Sequence, residues 1–213
     1  MNPIKPFLIF ACSILVFTGC RENQTNPDVI RVGTPRKQQI VIKVLPLGHV
    51  DKGSIESAVA ALEKYAGPVT LLKPQELPDH AYYAPRNRYR ADKLIKWMAA
   101  KAGRGEVYVG LTSKDISTTK EKVVDFGVMG LGYRPGSACV ISSFRLRNKA
   151  NFYKVVLHEV AHTAGLPHCP EKSCFLRDAK GGDPTGEETG FCSKCKSFLQ
   201  SKGWVFALTP ALN

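Results

Sequence analysis

The chain has 213 residues, 44% of them hydrophobic and 23% charged. That suits one globular domain able to bury a core, and it excludes a disordered or fibrous protein. The formal net charge is +12, but the basic residues are scattered rather than gathered into one run, so they read as a solvated surface and give no ground for a nucleic-acid partner.

From the N-terminus, Lys5 and the mostly apolar run over residues 7–17 have the form of a targeting segment too short to span a bilayer as a mature helix. The run ends in Phe17-Thr18-Gly19-Cys20. This resembles the lipobox of bacterial lipoprotein signals, which implies cleavage before Cys20 and lipidation of Cys20, although Phe17 stands where Leu is usual. An ordinary secretory signal and an uncleaved anchor are the other readings. Residues 1–19 are thus read as a signal peptide, 20–37 as a polar, lipidated tether containing Asn26-Pro27 and Thr34-Pro35, and 38–207 as the folded domain. The expected location is the bacterial cell envelope, lipid-anchored and facing the periplasm or the surface.

Residues 38–47 are rich in Ile and Val and predict a buried strand. Residues 51–65 place Ile55, Ala58, Val59, Leu62 and Tyr65 at helical spacing, with Gly67-Pro68 as a stop. A short strand over 69–72, a helix over 91–102 and a third strand over 106–112 follow. Arg86, Arg88, Arg90, Lys93 and Lys96 form the densest basic stretch and read as a solvated helical face. Residues 123–131 and 138–144 predict two further strands joined by Tyr133-Arg134-Pro135-Gly136. A helix is expected over 148–164. The β-α-β-α-β opening and the late strand pair predict an α/β (α+β) domain: a mixed, mostly parallel twisted sheet with one antiparallel edge strand.

The last of these helices carries His158-Glu159-Val160-Ala161-His162. Residues at i and i+4 share one helical face, so both imidazoles can meet one metal ion. Glu159 lies one position round, able to reach a metal-bound water without ligating the metal. Gly165 permits the positive φ of a sharp exit, and His168 arrives as a third ligand. The string is H-E-x-x-H-x-x-G-x-x-H, the metzincin pattern, and it holds three of the chain's five histidines. Three nitrogen ligands leave zinc an open position, as in catalytic sites. The reaction class implied is peptide-bond hydrolysis by a zinc-bound water with Glu159 as general base. His49 and His80 read as surface or loop histidines, and Cys139 as a buried, inert strand thiol.

Cys169, Cys174, Cys192 and Cys195 form two closely spaced pairs. Such spacing closes a tetrahedral zinc site, and two disulfides are the alternative for an exported domain. The stretch from Arg86-Asn87-Arg88-Tyr89 to Lys196 resembles the archaemetzincins, through Gly110-Leu111-Thr112, Ser143-Phe144-Arg145-Leu146, Gly165-Leu166-Pro167-His168-Cys169 and the paired cysteines. The resemblance implies a zincin-like fold with an active-site helix, a catalytic zinc on His158, His162 and His168, a structural zinc on the four cysteines, hence two Zn²⁺ per chain, and a small zinc-clamped C-terminal subdomain. It also implies that residues 123–131 form the antiparallel edge strand lining the substrate cleft. Leu176 stands where the family has the Met of its Met-turn. Residues 177–191 are shorter than usual, and Gly181-Gly182-Asp183-Pro184 reads as a mobile loop. The expectation is a monomeric zinc metalloprotease acting on peptide or protein substrates and held at the membrane through Cys20. A non-proteolytic zinc-binding module for partner binding is the rival, and an amidase or esterase is a third reading.

Overall fold

A computed structural model describes residues 40–206, which fall in the larger of two units, residues 37–213. The expected signal peptide, tether and Cys20 lie outside the described residues. The element order is β1 (Val41–Leu47), α1 (Lys52–Tyr65), β2 (Val69–Leu71), β3 (Tyr82–Tyr83), β4 (Arg88–Arg90), α2 (Ala91–Ala99), β5 (Glu106–Thr112), β6 (Ile116–Lys120), β7 (Val123–Val128), β8 (Gly130–Gly132), β9 (Ala138–Ser142), α3 (Phe152–Thr163) and α4 (Ser193–Ser201).

The main sheet runs β2-β1-β5-β9-β8. Four strands are parallel, and β8 pairs antiparallel with β9, Leu131 opposite Val140. This is the mixed sheet with one antiparallel edge strand expected from the sequence. Its central strands β1, β5 and β9 are buried on both faces, and the pleat sorts their side chains. Ile42, Val44, Val109, Cys139 and Ile141 face α1 and α3. Leu45, Leu47, Tyr108 and Val140 face α2. Gly110 lets α2 sit close, because a Cβ there would stand 2.8 Å from Met98 Sδ and 3.1 Å from Leu47 Cδ1. Asp51 caps α1, its carboxylate accepting from the Ser54 amide at 2.8 Å.

Two expectations need correction, and a second sheet adds to them. Residues 123–131 are not one strand. The segment breaks at Met129, and its halves join different sheets: β7 hairpins with β6, while only β8 forms the edge of the main sheet. The second sheet, β3-β4-β6-β7, went unread apart from β7, because β3 and β4 are two and three residues long and β6 is mostly polar. The basic stretch is not simply a solvated face either. Arg88 is buried, with Nε 3.1 Å from Asp115 Oδ2 and Nη1 3.1 Å from Asp125 Oδ2. Asp115 also takes a bidentate bond from Arg145, at 2.7 and 2.9 Å. Strand pairing brings these distant charges together, and a buried guanidinium is tolerated only where carboxylates surround it.

Candidate active site and metal centres

The site is built on α3. Its floor side is apolar, with Val156, Leu157, Val160 and Ala161 buried against the sheet, and its other side presents His158, Glu159 and His162 to a cavity of about 760 Å³. The helix ends in a Schellman turn: the Gly165 amide bonds to the His162 carbonyl at 2.8 Å and the Leu166 amide to the Ala161 carbonyl at 3.3 Å. Gly165 has φ +107°, a conformation that L side chains avoid. The turn sends the chain back so that His168 joins the two helical histidines. The ring centroid of His168 is 5.3 Å from that of His158 and 4.8 Å from that of His162.

Two of the three rings have a determined tautomer. His158 Nδ1 stands 2.6 Å from the Phe175 carbonyl, and His162 Nδ1 stands 2.7 Å from the Leu166 carbonyl. A carbonyl only accepts, so each Nδ1 carries the proton and each Nε2 keeps its lone pair. Those two Nε2 atoms face each other at 3.0 Å. Two lone pairs at that distance repel unless a cation lies between them. Nitrogens sharing a tetrahedral zinc at ~2.0–2.1 Å stand about 3.3 Å apart, so the donor set fits zinc. Candidate ligand atoms of all three histidines lie within 4.8 Å of one another. Burial, then the neighbouring His162 charge, lowers the His158 pKa to about 3, and burial lowers that of His162. Both rings are therefore neutral and available as ligands at neutral pH.

Glu159 is 6% exposed. Burial pushes its carboxyl up to about 8, with the Gly132 amide pulling the other way. Strand β8 comes this close only because it is Gly-Leu-Gly. A Cβ on Gly130 would stand 2.5 Å from Glu159 Cγ, and one on Gly132 would stand 2.7 Å from the Glu159 backbone oxygen. Neither glycine was singled out from the sequence. Asp178 was also missed; its Oδ2 lies 3.9 Å from His168 Nδ1. Their signal is spatial, since each is remote in sequence from the group it meets.

The four cysteines also converge, with sulfurs within 4.8 Å of one another and Cys169 Sγ 3.7 Å from Cys192 Sγ. Sulfurs on one tetrahedral zinc at ~2.3 Å stand about 3.8 Å apart, so this set too fits zinc, and all four are free thiols. Burial raises Cys174 to about 11 and raises Cys195 as well. Cys192 is lowered: burial works against this, but bonds from the Cys195 amide and the surrounding thiols outweigh it. Cys192 occupies the N-cap position of α4, without a side-chain capping bond, and Cys195 lies in its first turn. Cys169 directly follows His168, and Cys174 directly precedes Phe175, whose carbonyl holds His158, so the chain ties the second cluster to the first at two points.

Leu176 is fully buried at the position where the sequence departs from the Met pattern, and its carbonyl accepts from the Cys169 amide at 2.8 Å. The glycine-rich loop read as mobile is tied down at Asp183 and just beyond it. Asp183 accepts from the Arg147 amide at 2.9 Å and from the Thr185 hydroxyl at 2.7 Å. The buried Lys154 ammonium donates to the carbonyls of Thr185 and Glu188, both at 2.7 Å. His49 and His80 are exposed and Cys139 is buried in β9, as expected.

No protein-family model matches the chain. The archaemetzincin of Methanopyrus kandleri (strain AV19) is 30% identical over 147 residues, covering 65% of this chain and 82% of that protein. The crystal structure of an archaemetzincin from Methanopyrus kandleri superposes with a TM-score of 0.66 at 25% identity, covering 79% of this chain and 97% of that one. A zinc-dependent peptidase from Methanocorpusculum labreanum shares the fold, with a TM-score of 0.60 at 22% identity, covering 74% of this chain and 99% of that one.

Proposed function

The chain belongs to the archaemetzincin family and is a zinc metallopeptidase; from that premise we propose that His158, His162 and His168 hold its catalytic zinc and that Glu159 is the general base of peptide-bond hydrolysis. The observation that carries this is the pair of Nε2 lone pairs facing each other at 3.0 Å, beside a buried carboxyl on the same helix. Zinc bound there supplies a Lewis acid that polarises the scissile carbonyl and acidifies water.

The chain's own groups do the rest. Glu159 takes the proton from the attacking water and returns it to the leaving nitrogen. The backbone of an extended peptide pairs with the side of β8 turned away from β9, which no other strand occupies among the described residues. The Phe175 and Leu166 carbonyls hold the His158 and His162 rings in the ligating tautomer. We further propose a second, structural zinc on Cys169, Cys174, Cys192 and Cys195, giving two per chain. Lipidation of Cys20, supported by the pattern over residues 17–20, would hold this peptidase at the bacterial envelope.

The test is Glu159→Gln. Its zinc content should equal that of the native protein, because Glu159 is not a ligand. Cleavage of an extended-peptide library should fall by about two or more orders of magnitude, the usual worth of a positioned base. Cleavage at the native rate in that variant would remove Glu159 from the mechanism.

A further inference from the structure

Lys154 precedes His158 by four residues and shares its face of α3. Its bonds to the Thr185 and Glu188 carbonyls fasten the returning chain beside the helix, one turn from the metal-binding histidines. Val155, three residues before His158, lines the cavity at that level, and so does Glu188. The rise of one turn, about 5.4 Å, is a distance that the stem of a long basic side chain spans.

Glu188 is 4% exposed. Among the described residues, its carboxylate takes part in no hydrogen bond or ion pair, yet its oxygens are not wholly closed off from the cavity. Three cations around it are committed elsewhere. The Lys154 ammonium is spent on the two carbonyls, Arg177 Nη1 bonds to Glu187 Oε2 at 2.6 Å, and Arg145 is held by Asp115. A buried carboxylate without a partner is costly, and burial pushes this one up to about 7 despite the pull of Lys154 and Arg177. A guanidinium or ammonium entering from the cavity would relieve that cost with a desolvated, charge-assisted bond.

We propose that Glu188 closes a pocket for the substrate side chain next to the reacting bond, and that the peptidase prefers peptides with Arg or Lys at that position. This rests on the peptidase reading above. Glu188 is a specificity determinant, and it takes no part in bond cleavage.

The test uses zinc-loaded protein and two hydroxamates that differ in one side chain, 3-guanidinopropyl or n-butyl, titrated by calorimetry. The hydroxamate group reports on the zinc site, and the ratio of the two affinities reports on the pocket, so no turnover is needed. The guanidinopropyl compound should bind native protein about tenfold or more tightly than the n-butyl compound, and in Glu188→Gln the ratio should fall to about one. Equal affinities in the native protein overturn the proposal whatever the variant does, and so does a ratio that survives in Glu188→Gln. Failure of both compounds to bind while zinc is present overturns the peptidase reading itself, and the Glu188 proposal with it.

Discussion

Glu159 owes its position to what is missing opposite it. Gly130 and Gly132 remove two side chains that would collide with it, and the strand lies on the helix as a bare backbone. In Gly130→Ala the new Cβ would be 2.5 Å from Glu159 Cγ and 2.6 Å from Oε1, so the carboxyl must swing away or β8 must retreat. A misplacement of about 1 Å at a reacting group costs on the order of a hundredfold in rate. Turnover of Gly130→Ala should therefore fall by about ten- to a hundredfold, with zinc content by elemental analysis unchanged. Gly186→Ala is the control: nothing lies within 4 Å of its added Cβ, and its kinetics should match the native protein. Native turnover in Gly130→Ala would mean that the contact between β8 and Glu159 is not needed for the reaction.

Helix α4 buries only Cys195 and Leu199, too little apolar surface to hold a nine-residue helix by packing alone. Its attachment depends on the sulfur cluster and on the aromatic group of Tyr65, Phe175, Phe191, Trp204 and Phe206 beside it. Protein purified under reducing conditions without added metal should carry two zinc ions per chain. Cys195→Ser should carry close to one and melt at least about 5 °C lower, since structural zinc contributes directly to folding stability. A native content near one, with the four cysteines found as disulfides by mass spectrometry, would defeat the structural-zinc assignment. The cysteine pairs are legible in the sequence but α4 is not, because a helix with two buried residues leaves almost no periodic signal.

For the whole molecule, the metal-free protein should be weakened from both sides of the pH scale. His158 is about 3 folded against 6.5 ordinarily, so the unfolded chain binds its proton more readily and stability is lost as pH falls from 6.5 toward 3. Glu159 is about 8 folded against 4.5 ordinarily, so the unfolded chain releases its proton more readily and stability is lost as pH rises from 4.5 toward 8. Glu188, at about 7, acts in the same sense. Between pH 6.5 and 8 the His158 contribution is complete and the Glu159 contribution dominates. Urea unfolding of chelator-treated protein should show a loss of about 2 kcal/mol across that window, and Glu159→Gln should remove most of it. The same decline in the Gln variant would place its origin elsewhere. What the sequence by itself determined is local. The i, i+4 spacing aligns His158 with His162, Gly165 permits the left-handed exit that brings His168 round, the cysteine pairs mark a second tetrahedral set, and apolar runs mark the strands of the main sheet. What only the tertiary structure decided depends on groups far apart in the chain. Residues 123–131 divide at Met129 because each half finds a different partner strand. Arg88 is buried because pairing delivers Asp115 and Asp125 to it. Gly130 meets Glu159, and Glu188 comes to rest beside Lys154, across 29 and 34 residues. No periodicity records such meetings, because the long-range packing that creates them leaves no pattern along the chain.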